Sequence, residues 1–463
     1  MFNKILVANR GEIAVRIIRA CREMGIRTVA VYSQADQDAL HMQLADEAIC
    51  IGPAKAGESY LNMQNILSAA ILTQAQAIHP GFGFLSENSR FAEMCQELNI
   101  AFIGPDGTTI DQMGNKAHAR ELMIQAGVPV VPGSDGFLES EDEVLETAAR
   151  LGYPLMLKAA AGGGGKGMRV VREESELLPA FHSAKNEAQA AFGDGRMYAE
   201  RIISPAKHIE VQVLADHHGN VIHLGERDCS MQRKHQKLLE EAPSTVLTEE
   251  QRAEFGETAV RAARSVGYKN AGTIEFLMDR EGQFYFMEMN TRIQVEHPIT
   301  EMVTGVDLIK EQIRVAAGLP LSVKQDDIVI QGHSLECRIN AENPLFNFAP
   351  SPGKVSYLLL PAGGNGLRVD SALYAGGEIP PYYDAMVAKI ITHGRNRDEA
   401  VAKMKRALTE LVIEGITTNQ DFHIDLLENE RFLSGDYDTS FLESGYIEEW
   451  LEKTQAVQLT EEE

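Results

Sequence analysis

The stretch from Gly272 to His297 constrains this chain more than any other. It reads as two strands rich in β-branched and aromatic residues, joined around Asp279, Arg280, Glu281 and Gly282, the signature of a hairpin with a short Gly-containing turn. With the turn centred there, Glu275 falls opposite Glu288, and alternation puts Leu277, Phe286 and Asn290 on the same face. The other face, Ile274, Phe276, Tyr285, Met287 and Met289, is so apolar that the hairpin is expected to be half buried, which weighs against a solvated strand carrying ordinary charges. At about 5 Å and an effective dielectric of about 20, two facing carboxylates repel by roughly 3 kcal/mol. Divalent cations between them remove that cost. Magnesium is the natural candidate, because hard oxygen ligands that leave positions open for phosphates are how nucleotide enzymes hold it. Downstream, Arg292, Gln294 and Glu296 are spaced by two, so on a chain that stays extended they point one way.

From the N-terminus, Lys4–Ala8 is a short apolar run, followed by Asn9-Arg10-Gly11, a helical pattern from Glu12 to Met24 closed by Gly25, and the apolar run Thr28–Tyr32. This βαβ pattern predicts an open parallel sheet with helices on its faces over about the first hundred residues. The turn Ala8–Ala14 lacks G-x-G-x-x-G, so a dinucleotide is not the expected ligand. Ala77–Glu87 places Gly and Pro after another apolar run, where open α/β sheets bind ligands, although a plain structural turn has the same pattern. On the first helix, Arg16, Arg19 and Glu23 form a charged stripe that solvated surface would equally explain.

A mostly helical segment from Asp111 to Gly127, carrying Lys116, leads to the Pro-rich joint Val128–Gly133, which reads as a domain boundary. Beyond it come a helix near Glu141 to Leu151, the strand Tyr153–Ala159, a glycine run and Met168–Arg172. The run contains G-x-G-x-x-G at Gly162, Gly164 and Gly167, but Arg169–Arg172 reads as a strand, whereas a Rossmann fingerprint needs a helix there. Gly167 follows Lys166, so a P-loop, which needs Ser or Thr there, does not fit either. What remains is a flexible glycine hairpin whose N–H groups fold over phosphates, with Lys158 and Lys166 as charge partners, or else a flexible surface turn.

The next segment, Met197–Ile203, continues into the alternating strand His208–Leu214, with His208, Glu210 and Gln212 on one face. Asp216–Asn220 turns it into another strand, and Glu226–Lys237 is crowded with cations in a chain of net charge −24. A local excess of that kind implies an anion nearby, with a solvated loop as the alternative, above all for His235. The same net charge argues against nucleic acid or an anionic membrane as principal partner. Helices are expected over Glu249–Val266 and Thr300–Ala317, strands around Ser351–Tyr357 and Pro380–Met386, and an amphipathic helix over Arg397–Val412. The five cysteines lack a CxxC pair, which favours reduced, buried thiols and a cytoplasmic setting, and no apolar run approaches the roughly 20 residues of a membrane span.

The glycine hairpin after a Lys-bearing strand, followed by a Glu…Glu-x-Asn hairpin, resembles the ATP-grasp fold, in which two α+β subdomains clasp ATP. Within that superfamily the wording of Ala8–Ala14, His79–Gly81, Phe84–Asn88, Glu226–Arg233, Met289–His297 and Glu336–Glu342 resembles biotin carboxylases, from about Lys4 to about Tyr446. The length is similar to the freestanding bacterial or plastid-type subunit of acetyl-CoA carboxylase. The fold implied is α/β and α+β: an N-terminal open parallel α/β (pre-ATP-grasp) domain over 1–112, a linker over 113–131, an ATP-grasp lid over 132–203 with the glycine loop, an ATP-grasp core over 204–330, a C-terminal mixed α/β biotin carboxylase domain over 331–447 and an acidic tail over 448–463.

The resemblance implies ATP-dependent carboxylation of biotin by bicarbonate through carboxyphosphate, the first half-reaction of acetyl-CoA carboxylase in fatty acid synthesis. Glu296 would be the general base, with Lys237, Arg292, Gln294 and the Val295 amide holding bicarbonate. ATP would be held by Lys116, Lys158, Gly163, Gly164, Gly165, Lys166, Gly167, Met168, Glu200, Arg201, Ile203, His208, Gln232, His235 and Leu277, and two magnesium ions, or manganese, by Glu275, Glu288 and Asn290. Arg338 would stabilise the biotin enolate beside Phe82, where the family usually has Tyr. Lys166 and Arg201 likewise stand where Arg and Lys are usual. The partners implied are a second copy meeting at Arg19 and Glu23, a biotin carboxyl carrier protein and carboxyltransferase subunits, in cytoplasm or plastid stroma. Biotin is expected on the carrier and not on this chain, because the nearest match to a Met-Lys-Met hairpin, Ala402–Arg406, lies in a helical pattern. Another ATP-grasp ligase making an acyl phosphate is the rival reading, and Arg338 and Glu296 in their settings argue against it. A regulator without catalysis would not need Glu275, Glu288, Glu296 and Lys237 together.

Overall fold

The computed structural model describes residues 1–159 and 167–461. The chain forms two compact units, one built from Met1–Gly114, Lys207–Glu275 and Met289–Glu463, the other from Asn115–Ala206 and Phe276–Glu288.

In the first unit, the apolar run at the N-terminus becomes the strand Lys4–Val7, whose Ile5, Leu6 and Val7 have no exposed surface. A strand covered on both faces belongs in the middle of a parallel sheet, and here it lies third in the order Glu47–Gly52, Arg27–Ser33, Lys4–Val7, Ala77–His79, Ala101–Phe102. It runs parallel to both neighbours, and the helix Gly11–Glu23 follows it, so the expected βαβ unit is present. Arg16 departs from the solvated stripe: it turns inward to ion pairs with Glu301 at 3.0 Å and Asp307 at 2.7 Å, while Arg19 stays exposed and Glu23 pairs with Lys310. Cys50 is also exposed, unlike the other four thiols.

The larger sheet has eight strands in the order Phe284–Asn290, Asn270–Met278, Lys207–Ala215, Val221–Arg233, Gln236–Ala242, His333–Asn340, Met386–Gly394, Leu367–Ser371. The last residues of Asn270–Met278 and the first of Phe284–Asn290 fall in the second unit. The cation-crowded segment is no loop, because Val221–Arg233 is one long strand, almost wholly buried. Two other expectations change. The helix read over Thr300–Ala317 is two helices, His297–Thr304 and Leu308–Ala316, because Gly305 takes a left-handed φ of 74° and the Asp307 carboxylate accepts from the Lys310 N–H to start a new helix. The chain after Asn290 does not stay extended, so Arg292, Gln294 and Glu296 converge through an irregular loop and not through strand alternation.

The helix Arg397–Glu410 buries Ala400, Val401, Met404, Ala407 and Leu408 as its pattern requires. Residues 380–385 form a turn ahead of the strand Met386–Gly394, and the residues read as a tail form the helix Ile447–Glu461, whose Trp450 packs edge-on against Phe422 at 5.3 Å.

The second unit holds a three-stranded antiparallel sheet in the order Met168–Val171, Leu155–Ala159, Met197–Arg201, with the helices Glu141–Leu151 and Glu174–Phe192 over a core that includes Leu155, Leu157, Phe181 and Met197. Lys158 pairs with Met168, so the glycine run joins two antiparallel strands and the dinucleotide reading is excluded, as expected. Gly162, Gly163, Gly164, Gly165 and Lys166 lie outside the described residues. Gly167 has φ +72°, and a Cβ there would come within 2.7 Å of that of Ala159, so the close approach of the two strands needs glycine. The stretch 113–131 carries the helix Lys116–Gln125, capped by Asn115.

Burial keeps the imidazoles of His41, His79 and His423 neutral, pushing them down to about 4, about 3 and about 4. An unfolded histidine titrates at about 6.5. Between those values the unfolded chain binds more protons, so the stability these groups leave intact is complete above about pH 6.5 and falls as pH drops toward the folded values. Denaturant unfolding followed by the single tryptophan, Trp450, is expected to need less denaturant at about pH 5.5 than at about pH 7.5, by about 1 kcal/mol per histidine. His423→Gln should take its share of that slope away, and an unchanged slope would contradict the assignment.

Candidate functional site

Glu296 stands where the irregular loop after Asn290 enters the helix His297–Thr304, and it has no exposed surface. Such a carboxylate is tolerable only with compensating charge. Lys237, on the strand Gln236–Ala242, brings its ammonium to 2.6 Å from Glu296 Oε1, and Arg338, on His333–Asn340, donates to Oε2 at 2.9 Å. The same ammonium donates to Glu210 at 2.6 Å and to Glu275 at 3.1 Å, so three carboxylates share one lysine.

The strands place these groups. His208, Glu210 and Gln212 alternate along Lys207–Ala215 as the sequence suggests, and Glu210 pairs in register with Arg227. Arg227 is fully buried and donates to Glu210 at 2.6 Å, Gln212 at 2.8 Å, Thr300 at 2.9 Å and Thr273 at 3.2 Å. Glu275 accepts from Asn290 at 2.8 Å, and His208 lies 3.1 Å from its other oxygen. Arg292 donates to Gln294 at 2.8 Å, to Asn290 at 2.9 Å and to Glu87 at 2.7 Å. Arg338 donates from Nε to Glu240 at 2.6 Å. The Phe82 loop is pinned by Asn9, whose amide donates to the Pro80 and Phe82 carbonyls at 2.7 Å. Gln232 is buried on its strand, while His235 sits exposed with φ +62° in the turn between Val221–Arg233 and Gln236–Ala242.

These contacts set the protonation. Against the burial that would raise it, Lys237, Arg338 and Arg227 hold the Glu296 carboxyl well below the usual carboxylate range. Glu275 is likewise held low against burial by Lys237 and His208. Burial and the like charge of Glu296 push Glu210 up, and burial lifts Glu240 to about 7 against the pull of Arg338. Burial acts to lower Lys237, but the carboxylates of Glu210, Glu275 and Glu296 around it keep it well above its ordinary value. Cys229, its Sγ 3.8 Å from Glu296, is pushed up by burial and by Glu210 and stays a thiol.

In the second unit, Lys116 donates to Glu288 at 3.0 Å, and Lys158 bonds Glu200 across the strand pair Met156–Glu200 and Lys158–Tyr198. Arg201 lies over the Tyr285 ring at 5.9 Å, Met168 is exposed, and Ile203 and Leu277 are half-buried.

Sequence reasoning did not single out Arg227, Glu240, Glu87 or Lys389. Arg227 and Glu87 lie inside motifs that carry the family resemblance; for Arg227 a charged residue in mid-strand is the signal, whereas Glu87 sits in a turn. Nothing in one sequence marks Glu240 off from Glu241.

His208, Glu210 and Glu275 also bring ligand atoms within 4.8 Å of one another, a buried set able to hold an ion. In the first unit, the carboxylate and amide oxygens of Glu275 and Asn290 are hard donors of the kind that fit magnesium.

The sequence matches the biotin carboxylase N-terminal domain over residues 1–110, the carbamoyl-phosphate synthase L chain ATP-binding domain over 115–324 and the biotin carboxylase C-terminal domain over 336–444. It is 60% identical over 445 residues to biotin carboxylase 1 of Bacillus subtilis, covering 96% of this chain and 99% of that one. Among solved structures, the biotin carboxylase of Campylobacter jejuni superposes with a TM-score of 0.91 at 51% identity, over 96% of this chain and 99% of that one. The biotin carboxylase domain of Hydrogenobacter thermophilus 2-oxoglutarate carboxylase, a dimer solved with MgADP, ADP and bicarbonate, gives 0.89 at 51% identity, over 96% and 98%. With family models matching residues 1–110, 115–324 and 336–444, and 60% identity over 96% of the chain, the chain belongs to the biotin carboxylases.

Proposed function

We propose that this chain is the ligase that carboxylates biotin with bicarbonate at the expense of ATP, in the first half-reaction of an acetyl-CoA carboxylase. One observation carries the chemistry: Glu296, with no exposed surface, lies between Lys237 and Arg338. Bicarbonate is a poor nucleophile until its proton is taken and a poor electrophile until phosphorylated. Lys237, Arg292, Gln294 and the Val295 N–H would hold the anion, and Glu296 would take its proton. Lys237, Arg338 and Arg227 hold Glu296 low, which makes it a weak base. Once Lys237 turns to the incoming anion, that restraint weakens and Glu296 becomes a better proton acceptor.

Lys116, Lys158 and the glycine loop, Gly163 to Gly167 with Lys166, would neutralise the triphosphate. Met168, Ile203 and Leu277 would pack on adenine beside Glu200 and Arg201, with His208, Gln232 and His235 as further nucleotide contacts. Glu275, Glu288 and Asn290 would hold magnesium, or manganese, which supplies charge neutralisation on the phosphates. Carboxyphosphate would then break down to carbon dioxide and phosphate, the phosphate would take the ureido proton, and Arg338 would stabilise the enolate oxygen of biotin lying beside Phe82.

Biotin would arrive on a separate carrier protein and leave for carboxyltransferase subunits. The helical Lys403-Met404-Lys405 segment, with Met404 fully buried, supports the reading that this chain is not itself biotinylated. The dimeric state of the Hydrogenobacter thermophilus domain supports a homodimer here, with exposed Arg19 and nearby Glu23 as the proposed contact. Among the described residues no helix is long and apolar enough to cross a membrane.

Phosphate release, with bicarbonate and biotin omitted in turn, tests the reading. Turnover should need bicarbonate, rise with biotin, and show a higher kcat/KM with a biotinylated carrier domain than with free biotin; independence from bicarbonate would refute it. Glu288→Gln keeps shape and removes charge, so turnover should fall by about a hundredfold or more and the magnesium requirement rise, with folding little changed; near-normal turnover would sink the metal assignment. Arg338→Gln should abolish biotin carboxylation yet leave slow bicarbonate-dependent ATP cleavage. Equal loss of both would mean that Arg338 serves the fold or the phosphates.

A further inference from the structure

We propose that Lys389, anchored by Glu12, is a positioning residue that fixes the main chain at Val295 and so sets the direction of the Glu296 carboxylate. The inference rests on the reading of Val295 and Glu296 as the bicarbonate-handling pair.

Lys389 comes from the strand Met386–Gly394 and has no exposed surface. In register it lies between Arg338 on one neighbouring strand and Asp370 on the other, so the three side chains form a row on one face of the sheet. Its ammonium donates to the Val295 carbonyl at 2.6 Å and forms an ion pair with Glu12 at 3.1 Å. Arg338, next in the row, holds the Glu296 side chain at 2.9 Å. Two adjacent cations therefore grip two consecutive residues, one by its main chain and the other by its carboxylate. The gripped segment belongs to neither neighbouring element, since the strand ends at Asn290 and the helix starts at His297.

A buried ammonium is a costly way to fill space, and an apolar side chain would pack as well. Burial alone would push Lys389 down and Glu12 up, but their ion pair at 3.1 Å, with Asp370 next in the row, keeps the ammonium charged. What the charge adds is a strong donor aimed at a carbonyl in an otherwise irregular loop. A turn about the Val295–Glu296 peptide moves the base relative to bicarbonate, and a misplacement of about 1 Å costs about a hundredfold in rate. The same picture gives a task to the turn Ala8–Ala14: Asn9 pins the Phe82 loop, and Glu12 holds Lys389.

The test uses the full chain and bicarbonate-dependent ATP cleavage. Lys389→Met alone strands Glu12 as an unpaired buried charge, so the working variant is Lys389→Met with Glu12→Gln, beside Glu12→Gln alone. The double variant is expected to lose about a hundredfold in kcat/KM for bicarbonate, and Glu12→Gln about tenfold, with KM for ATP within about twofold of the parent in both. A folded double variant with unchanged kcat/KM for bicarbonate overturns the proposal, and so does a rise in KM for ATP as large as the loss for bicarbonate, which is what a merely structural pair would give. Should the double variant not fold, Glu12→Gln decides by the same criterion. Glu296→Gln runs alongside: if it keeps parental turnover, the underlying reading fails, whereas an inactive Glu296→Gln beside unaffected Glu12 and Lys389 variants refutes this inference alone.

Discussion

The charge balance inside the eight-stranded sheet is the constraint on which the rest depends. Arg227 has no exposed surface, and its guanidinium is satisfied by Glu210, Gln212, Thr273 and Thr300, which come from two neighbouring strands and a helix. Removing one partner of a buried pair typically costs about 3–5 kcal/mol, because the other charge is left in a medium that cannot solvate it. The registers of the central strands are therefore tied to electrostatics as well as to apolar packing. A slip of that strand by one residue would turn Glu210 to the opposite face and leave Arg227 without its carboxylate.

From that balance the site inherits its state at rest. Glu210, Glu275 and Glu296 share Lys237, and Glu296 also takes Arg338, which Glu240 holds from the other side. Each cation thus already has an anion, so on the proposed reading a substrate anion would enter by exchange. Exchange keeps the desolvation cost small, since no charge must be stripped of its partners without receiving another. A protein of net charge −24 could keep the proposed anion site in this way, because Lys237 and Arg338 are buried and fixed by named carboxylates.

The sequence conveyed this arrangement unevenly. Strand alternation at His208, Glu210 and Gln212, the hairpin around Asp279–Gly282 and the buried face of Arg397–Glu410 were all legible, because each follows a short-range period. The break at Gly305 was missed, although a glycine followed at two residues by Asp307 is a stop and a new start. Arg292, Gln294 and Glu296 were brought together by the wrong device, since the loop after Asn290 has no period to read. Arg227, Glu240 and Lys389 escaped because their partners are remote in sequence. Lys389 and Glu12 are a clear case, with most of the chain between them.

The order of segments in the first unit has a consequence for synthesis. Residues 1–114 close a parallel sheet of their own, but the eight-stranded sheet draws on strands from Lys207 to Gly394, and the second unit is made in between. While the ribosome works through Asn115–Ala206, Glu12 and Arg16 have emerged, but Lys389, Glu301 and Asp307 do not yet exist. The first helix must wait, with two charges facing inward and unpaired, until most of the chain is out. Long-range pairing of this kind makes the last third of the polypeptide the step that commits the first helix, and it exposes apolar strand edges meanwhile to whatever chaperones meet the nascent chain.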